Sequence, residues 1–204
     1  MNISYALDKL NTVLPLVERQ RKLSFEEQKC HRNILSEFSK SGRVPDTVPL
    51  TILKKLYKND LIVLDNSNKI IGAYPFSLRK TDHHIFNENI DLYAMCAFDA
   101  VAIAPLFLIK LNIVSQCYVT KETIEIGQDS EQVISVKPSR EIYVGIRWQS
   151  AGSCSADSLC LEMIFLKDKN IANVWKGDDK DRSIFSLTDA IDFSVSYFKP
   201  LLQG

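Results

Sequence analysis

This 204-residue sequence lacks the features that mark several large classes of protein. It has only seven glycines and seven prolines and no internal repeat, which excludes collagen-like, low-complexity and repeat proteins. Its 25 basic and 25 acidic residues give no net charge, so no excess of either sign indicates nucleic acid or an anionic membrane as a partner. With 46% hydrophobic residues, the chain is too apolar to be disordered. We expect it to fold around its own core without a disulfide or a structural metal.

The sequence also has no uninterrupted apolar run typical of a membrane span or an export signal. The longest nearly apolar segment, 92–109, contains Asp99 and Pro105 and is at the short end for a span. The first 23 residues mix acids and bases among the apolar residues, unlike a signal peptide. The cysteines number five, and an odd number argues against a secreted disulfide framework. We therefore expect a cytoplasmic protein with reduced thiols and no membrane partner.

The first 80 residues have the pattern of a small helical domain. Apolar positions three and four apart predict one helix over residues 4–21. A capping-box pattern that begins at Ser24 predicts a second helix as far as Gly42, and residues 48–60 predict a third. A D-N-S-N turn within residues 61–76 predicts a β-hairpin. Three helices followed by a hairpin indicate a winged-helix-like shape.

Winged-helix modules often contact DNA, but little in this sequence favours such contact. The third predicted helix carries Lys54, Lys55 and Lys58, which is few for a phosphate-binding surface. Together with the absence of net charge, this predicts no nucleic-acid partner. A DNA-contacting regulator is accordingly the weakest of the functional hypotheses.

Beyond residue 80 the pattern changes to strands. Asp91 is a candidate cap for an apolar helix over residues 92–104, which Pro105 disturbs or ends. Four segments rich in β-branched and aromatic residues follow, and the apolar segment 158–168 predicts another strand. Ser186 marks the start of a final amphipathic helix.

The predicted fold class is α+β. Residues 1–80 are expected to form a helical, winged-helix-like N-terminal domain. Residues 81–204 are expected to form a second, α+β domain, in which a mixed or antiparallel sheet is flanked by helices.

Asp99 is the single charged residue of segment 92–109. A buried carboxylate without a partner costs several kcal/mol, so it either finds donors or takes a proton. Cys96 lies three residues earlier, and on a helix the two would share a face with Cβ atoms about 5–6 Å apart. The pair would place a soft nucleophile beside a proton carrier. The alternative is a structural Asp99 that accepts backbone N–H groups, with Cys96 filling the core.

The remaining cysteines differ in their context. Cys160 stands where a small polar loop meets an apolar segment, a position where site residues often occur, although a buried strand cysteine would look the same. Cys154 lies within that loop, and Cys117 alternates with apolar residues as core filler would. A zinc site with His83 and His84 is disfavoured, because the cysteine spacing is not that of a zinc finger and the histidine pair is typical of a surface loop. The G-x-S-x-G, Walker A and G-x-G-x-x-G patterns are absent.

Three segments, in this order, resemble the organomercurial (alkylmercury) lyase family. Residues 91–106, DLYAMCAFDAVAIAPL, are similar to the family's signature helix, which carries an A-x-C-A-x-D pattern before an apolar run with a proline. Residues 112–127 are similar to its strand with S-x-C and the strand that follows. Residues 158–168, followed by Trp175, are similar to its cysteine, apolar strand and tryptophan-bearing helix. The first 80 residues resemble the family only in their helical shape.

The resemblance implies a role for each site residue. Cys96 corresponds to the first mercury-binding cysteine, Asp99 to the proton-handling aspartate, Cys160 to the second mercury-binding cysteine and Cys117 to a structural cysteine. The best-known members carry two adjacent cysteines at the second position, whereas Cys160 stands alone here. Cys154 is therefore the alternative second thiolate.

The resemblance implies cleavage of a carbon–mercury bond by protonolysis. Hg(II) is soft and prefers thiolate sulfur, and a buried aspartic acid can deliver the proton to carbon. No cofactor would be required, since mercury is part of the substrate and leaves as the product ion. The expected partners are a small organomercury compound, small thiols and a mercuric reductase that accepts Hg(II). The alternative is a non-catalytic thiol protein on the same fold that binds or senses Hg(II) or another soft metal.

Overall fold

Helices occupy both ends of the chain, and antiparallel strands fill most of its middle. The computed structural model describes residues 2–139, 141–150, 152 and 154–203. The helices are α1 (Ile3–Val13), α2 (Leu16–Arg21), α3 (Phe25–Ser41), α4 (Leu50–Lys58), α5 (Ala97–Phe107), α6 (Lys169–Lys176) and α7 (Leu187–Leu202). The strands are β1 (Ile62–Leu64), β2 (Ile70–Ala73), β3 (Phe76–Ser77), β4 (His84–Phe86), β5 (Asp91–Ala94), β6 (Lys110–Gln116), β7 (Thr123–Asp129), β8 (Gln132–Lys137), β9 (Tyr143–Arg147), β10 (Met163–Leu166) and β11 (Arg182–Ser186).

The strands form two sheets. The larger has the order β1-β2-β3-β5-β4-β6-β7-β8, and the smaller has the order β10-β9-β11. Each of these strand pairs is antiparallel, which confirms the predicted α+β class. The larger sheet continues across residue 80, because Phe76 of β3 pairs with Ala94 of β5. The winged-helix-like shape and the division into domains at residue 80 stay predictions.

Helix α5 lies at the centre of the fold because it is apolar on every side. From Ala97 to Pro105 each residue is buried, including Asp99, and a helix without a polar face belongs in the interior. It packs against α7, against β5, β6 and β7 of the larger sheet and against β10 of the smaller one. Phe98 meets Phe185 and Phe193 edge-on, with ring centroids 5.3 and 5.0 Å apart. The first turn of α5 is therefore enclosed by protein.

The predicted second helix is confirmed at both ends. The Ser24 Oγ accepts the Glu27 N–H at 3.3 Å, and the Glu27 carboxylate accepts the Ser24 N–H at 2.9 Å, which completes the capping box. The helix ends at Gly42, whose φ of +67° favours glycine. The third predicted helix is present as α4, and the predicted hairpin is present as β1 and β2. The final helix begins after Ser186, as predicted.

The prediction of one helix over residues 4–21 was wrong. The chain forms two helices there, with a break at Leu14 and Pro15. Leu14 has a φ of −139°, since a proline disfavours the helical conformation in the residue before it.

The prediction that the apolar helix begins at Leu92 was also wrong. Asp91–Ala94 is a strand paired with β3 and β4, and the helix begins at Ala97. Pro105 does not end the helix, which continues to Phe107. The Val101 carbonyl, which loses its helical donor at Pro105, accepts the Gln128 side-chain amide at 3.3 Å. Among the described helices, none has the length and apolar character needed to span a bilayer.

Replacement of Ser24 by alanine tests the energy of the confirmed capping box. Ser24→Ala leaves one N–H of the first turn without its side-chain acceptor, so we expect the free energy of unfolding to fall by about 1 kcal/mol. Urea denaturation measures this change. Ser41→Ala, which removes only an exposed hydroxyl bonded to the Glu37 carbonyl, is the control and should lower the stability by less. Equal losses in the two variants would contradict the energetic role of the cap.

Candidate active site

Cys96 connects the end of β5 to the start of α5. Its backbone is extended, with φ −150° and ψ 179°, and its Sγ accepts the Asp99 N–H at 3.4 Å. The thiol thus occupies the N-cap position, where a hydroxyl or carboxylate oxygen is more common. The predicted proximity of Cys96 and Asp99 is confirmed, but it arises from this cap and not from a shared helix face. The Cys96 thiol also lies 3.4 Å from the Met163 Sδ, which can accept its hydrogen.

Asp99 is a buried carboxyl in apolar surroundings. It is 1% exposed, and neither carboxyl oxygen has a partner within hydrogen-bond geometry among the described residues. Burial raises the pKa of Asp99 to about 7, although the nearby side chain and N–H of Cys96 offset part of the rise. A carboxyl with this pKa can both accept and donate a proton near neutral pH. This is unlike a structural aspartate satisfied by backbone N–H groups, the alternative that the sequence had left open.

Cys160 approaches the start of α5 from a distant part of the chain. Segment 158–168 was predicted as one strand, but its first half is a 3-10 helix, Leu159–Glu162, and only its second half forms β10. This short helix turns Leu159 and Cys160 inward and leaves Leu161 64% exposed. Cys160 therefore lies at the junction that precedes β10, as its loop-to-strand position in the sequence indicated.

Both thiols are held in their protonated form. Burial raises the pKa of Cys96 well above its ordinary value, and the adjacent Cys160 and Asp99 raise it further. At Cys160 the Cys96 thiol lowers the pKa, but burial and nearby carboxylates outweigh this effect, so the pKa is raised. Binding of a soft metal by these thiols must therefore release protons.

The three side chains converge on one point. The sulfur atoms of Cys96 and Cys160 and one carboxyl oxygen of Asp99 all lie within 4.8 Å of one another, and all three residues are buried. Two sulfurs with a single oxygen are a donor set suited to a soft ion. The structure thus brings together the three residues that the sequence singled out.

A small apolar cavity lies against this cluster. Its volume is about 20 Å³, enough for roughly one water-sized molecule. Cys96, Asp99 and Cys160 line it together with aromatic side chains from three regions of the chain, which include Tyr74, Phe98, Phe193, Tyr197 and Phe198.

An open cleft of about 380 Å³ lies on the other side of Cys160. Its walls are partly polar and include Arg79 and Asp157, which form an ion pair at 2.7 Å. Cys160 lines both the cleft and the cavity, whereas Cys96 and Asp99 line the cavity. Cys160 is therefore the member of the cluster that a molecule in the cleft meets first.

The other cysteines lie outside the cluster. Cys154 is half-buried in the segment that leads to Cys160 and contributes no atom to the group of three. Cys117 is fully buried and forms a β-bridge with Phe165, which agrees with the prediction that it fills the core.

The prediction that the His83–His84 pair lies in a surface loop was wrong. His84 begins β4, and His83 is 8% exposed, with its Nδ1 2.9 Å from the Ser115 Oγ. Burial lowers the pKa of His83 to about 4. The neutral ring packs edge-on against Phe165, with centroids 5.6 Å apart.

Three side chains near the cluster were missed by the sequence analysis. Met163 contacts the Cys96 sulfur, Tyr74 lines the cavity, and Asp60 binds both Tyr74 and the segment that carries Cys160. Of these three, only Met163 could have been found from the sequence, because it begins the apolar strand just after Cys160. No sequence pattern connects Asp60 to Ser155 or Tyr74 to Cys160, since each pair is separated by about 90 positions.

The sequence of this chain is similar to those of alkylmercury lyases. The family model described as Alkylmercury lyase (MerB) matches residues 76–199, more than half of the chain. Alkylmercury lyases of Bacillus cereus and Clostridium butyricum are each 27% identical over 145 residues, 71% of this chain and 66% of theirs. The alkylmercury lyase of Staphylococcus epidermidis is 24% identical over 131 residues, 64% of this chain and 60% of its own length. These alignments span 60 to 66% of the length of each relative, which is less than two thirds.

A solved structure extends the likeness to most of the fold. The crystal structure of the mercury-bound form of MerB2 superimposes with a TM-score of 0.73 and covers 94% of this chain and 98% of its own. The two sequences are 22% identical, so the match shows a shared fold.

The buried carboxyl makes a testable contribution to the pH dependence of stability. The pKa of Asp99 is about 7 in the folded chain against an ordinary value of 3.8, so the folded state binds more protons between these pH values. The contribution of Asp99 to the free energy of unfolding should therefore fall as the pH rises from about 4 to about 7. Asp99→Asn does not titrate, so its stability relative to the unmodified protein should increase over this range. Urea denaturation at several pH values measures the difference, and a constant difference would contradict the assignment.

Proposed function

Because this chain belongs to the alkylmercury lyase family, we propose that it cleaves the carbon–mercury bond of a small organomercury compound by protonolysis. The observation that carries the proposal is the convergence of two buried thiols and one buried carboxyl within 4.8 Å. In this proposal Cys96 and Cys160 bind mercury and Asp99 supplies the proton.

The thiols act first. One thiol exchanges its proton for R–Hg⁺, where R is the organic group, and forms a sulfur–mercury bond, as the softness of mercury favours. Cys160 is suited to this first exchange because it lines the open cleft. The second thiolate then binds the same mercury and raises its electron density, which weakens the bond to carbon. The 3.4 Å contact between Cys96 and Met163 adds a further soft sulfur beside the metal position.

Asp99 connects the two proton transfers. The carboxylate form takes the proton that a thiol loses when it binds mercury, and the resulting carboxylic acid gives that proton to the departing carbon. The products are the hydrocarbon R–H and Hg(II) held by two thiolates. Burial assists this cycle, because it holds the pKa of Asp99 at about 7, far above the ordinary value of 3.8.

Release of Hg(II) requires an acceptor with comparable affinity for mercury. A small thiol that enters the cleft can displace Cys160 from the metal and then Cys96. A mercuric reductase is a second acceptor that we infer from the family. The scheme uses no cofactor, and we place it in the cytoplasm, where thiols are kept reduced.

A second candidate function is stoichiometric binding of Hg(II) or another soft metal without bond cleavage. The size of the cavity favours it, since about 20 Å³ beside the cluster leaves little room for an organic group unless the aromatic walls move. A binding protein would use the same two thiols and would release no hydrocarbon.

Hydrocarbon release distinguishes the two functions. The reduced protein is incubated with phenylmercury and excess cysteine, and benzene is measured by gas chromatography. We expect more than one equivalent of benzene per chain, with a loss of at least about 100-fold in Cys96→Ser, Cys160→Ser and Asp99→Asn, because each removes a group that contacts the reacting atoms. Cys154→Ser is the matched control and should keep most of the activity.

Three results would contradict the proposal in different ways. One mercury bound per chain with no benzene would establish the binding function. Loss of activity in Cys154→Ser with full activity in Cys160→Ser would reassign the second thiolate. Full activity in Asp99→Asn would remove Asp99 from the proton transfer.

A further inference from the structure

Asp60 is a buried carboxylate outside the group of three that forms a hydrogen bond with the segment that carries Cys160. It is 7% exposed and follows α4 with a left-handed backbone, φ +55°. Its Oδ2 accepts the Ser155 hydroxyl at 2.6 Å and the Ser155 N–H at 3.3 Å. The Arg19 guanidinium donates to the same oxygen at 3.2 Å, and the Tyr74 hydroxyl donates to Oδ1 at 3.3 Å.

Backbone hydrogen bonds connect Ser155 to Cys160. The Ser155 carbonyl accepts the Ser158 N–H at 3.2 Å, and the Ser158 carbonyl accepts the Leu161 N–H at 3.1 Å. The Cys160 carbonyl in turn accepts the Met163 N–H. Two short turns and the start of β10 therefore fix Cys160 relative to Ser155, and Asp60 fixes Ser155 relative to α2 and α4.

Tyr74 connects Asp60 to the cavity that lies beside Cys96, Asp99 and Cys160. Tyr74 is 2% exposed and its ring lines the cavity beside Cys96, Asp99 and Cys160. Its hydroxyl is directed to Asp60. One carboxylate thus holds both the segment that positions a thiol and an aromatic wall of the cavity.

We propose that Asp60 is a positioning residue of the mercury site, which through Ser155 holds the Cys160 sulfur close enough to Cys96 for both to bind one metal ion. This inference rests on the proposed function in taking Hg(II) as the ion, but it requires no cleavage of a carbon–mercury bond. Residues that orient metal ligands from outside the site commonly change metal affinity or activity by about 10- to 100-fold when replaced.

Asp60→Asn is the appropriate substitution. Asparagine tolerates the left-handed backbone at this position, whereas its amide nitrogen cannot accept the bonds that a carboxylate oxygen accepts. Ser155→Ala is a milder variant that removes only the hydroxyl donor. Asp65→Asn is the matched control, because Asp65 accepts two backbone N–H groups in the β1–β2 turn, at 2.8 and 2.9 Å, and lies outside both the cavity and the cleft.

The test measures Hg(II) affinity by competition with cysteine, at a temperature where circular dichroism shows each variant to be folded. We expect Asp60→Asn to weaken Hg(II) binding by about 10-fold or more and Ser155→Ala by less. The double variant should bind no more weakly than Asp60→Asn alone, because the two residues act through one hydrogen-bonded contact. Asp65→Asn should bind as the unmodified protein does.

A second measurement needs no mercury. Oxidation of the two thiols by diamide, which is itself reduced to the hydrazine, joins Cys96 and Cys160 in a disulfide when their sulfurs are held close. Mass spectrometry of the digested protein follows its formation. We expect slower formation in Asp60→Asn and Ser155→Ala than in Asp65→Asn.

A purely structural role for Asp60 predicts a different pattern. Asp60→Asn would then lower the free energy of unfolding while the folded variant kept its Hg(II) affinity and its rate of disulfide formation, and this result would overturn the proposal. Should Asp60→Asn not fold, unchanged behaviour of Ser155→Ala in both measurements would overturn it equally. If Asp60→Asn weakens Hg(II) binding as expected but the unmodified protein releases no benzene, only the proposed lyase activity is refuted.

Discussion

The burial of the Asp99 carboxyl beside the Cys96 thiol is the constraint on which the rest of the site depends. A carboxyl that is 1% exposed and without a conventional partner is costly to ionise, so its pKa rises to about 7 and both of its protonation states are populated near neutral pH. The same burial keeps both thiols protonated until a soft metal displaces their protons. Apolar surroundings thereby link metal binding to the movement of a proton, which is the chemistry that protonolysis of a carbon–mercury bond requires.

The fold keeps Asp99 buried because protein encloses α5, and segments from several parts of the chain pack around its first turn. Strand β5 delivers Cys96 to the cap of α5, and the turns before β10 deliver Cys160. The aromatic residues of α7 close the cavity, and the buried Asp60 joins the Cys160 segment to the N-terminal helices. The site is thus assembled from both halves of the sequence, although Cys96, Asp99 and Cys160 all lie beyond residue 80.

Much of the fold and of the site could be predicted from the sequence because the signals were local. The cap at Ser24, the hairpin turn and the spacing between Cys96 and Asp99 each depend on residues a few positions apart. The break at Pro15 and the strand before Cys96 were missed, since periodicity alone does not reveal a proline break or distinguish a short buried strand from a helix end. Asp60 and Tyr74 could not be predicted, because their contacts join residues that only the folded chain brings together.

A crystal structure of the reduced protein with one equivalent of Hg(II) would show which side chains bind the metal. We expect a single mercury between the sulfurs of Cys96 and Cys160, with the Asp99 carboxyl adjacent to it. Mercury bound to Cys154, Cys117 or Cys30, with neither Cys96 nor Cys160 bound to metal, would contradict it.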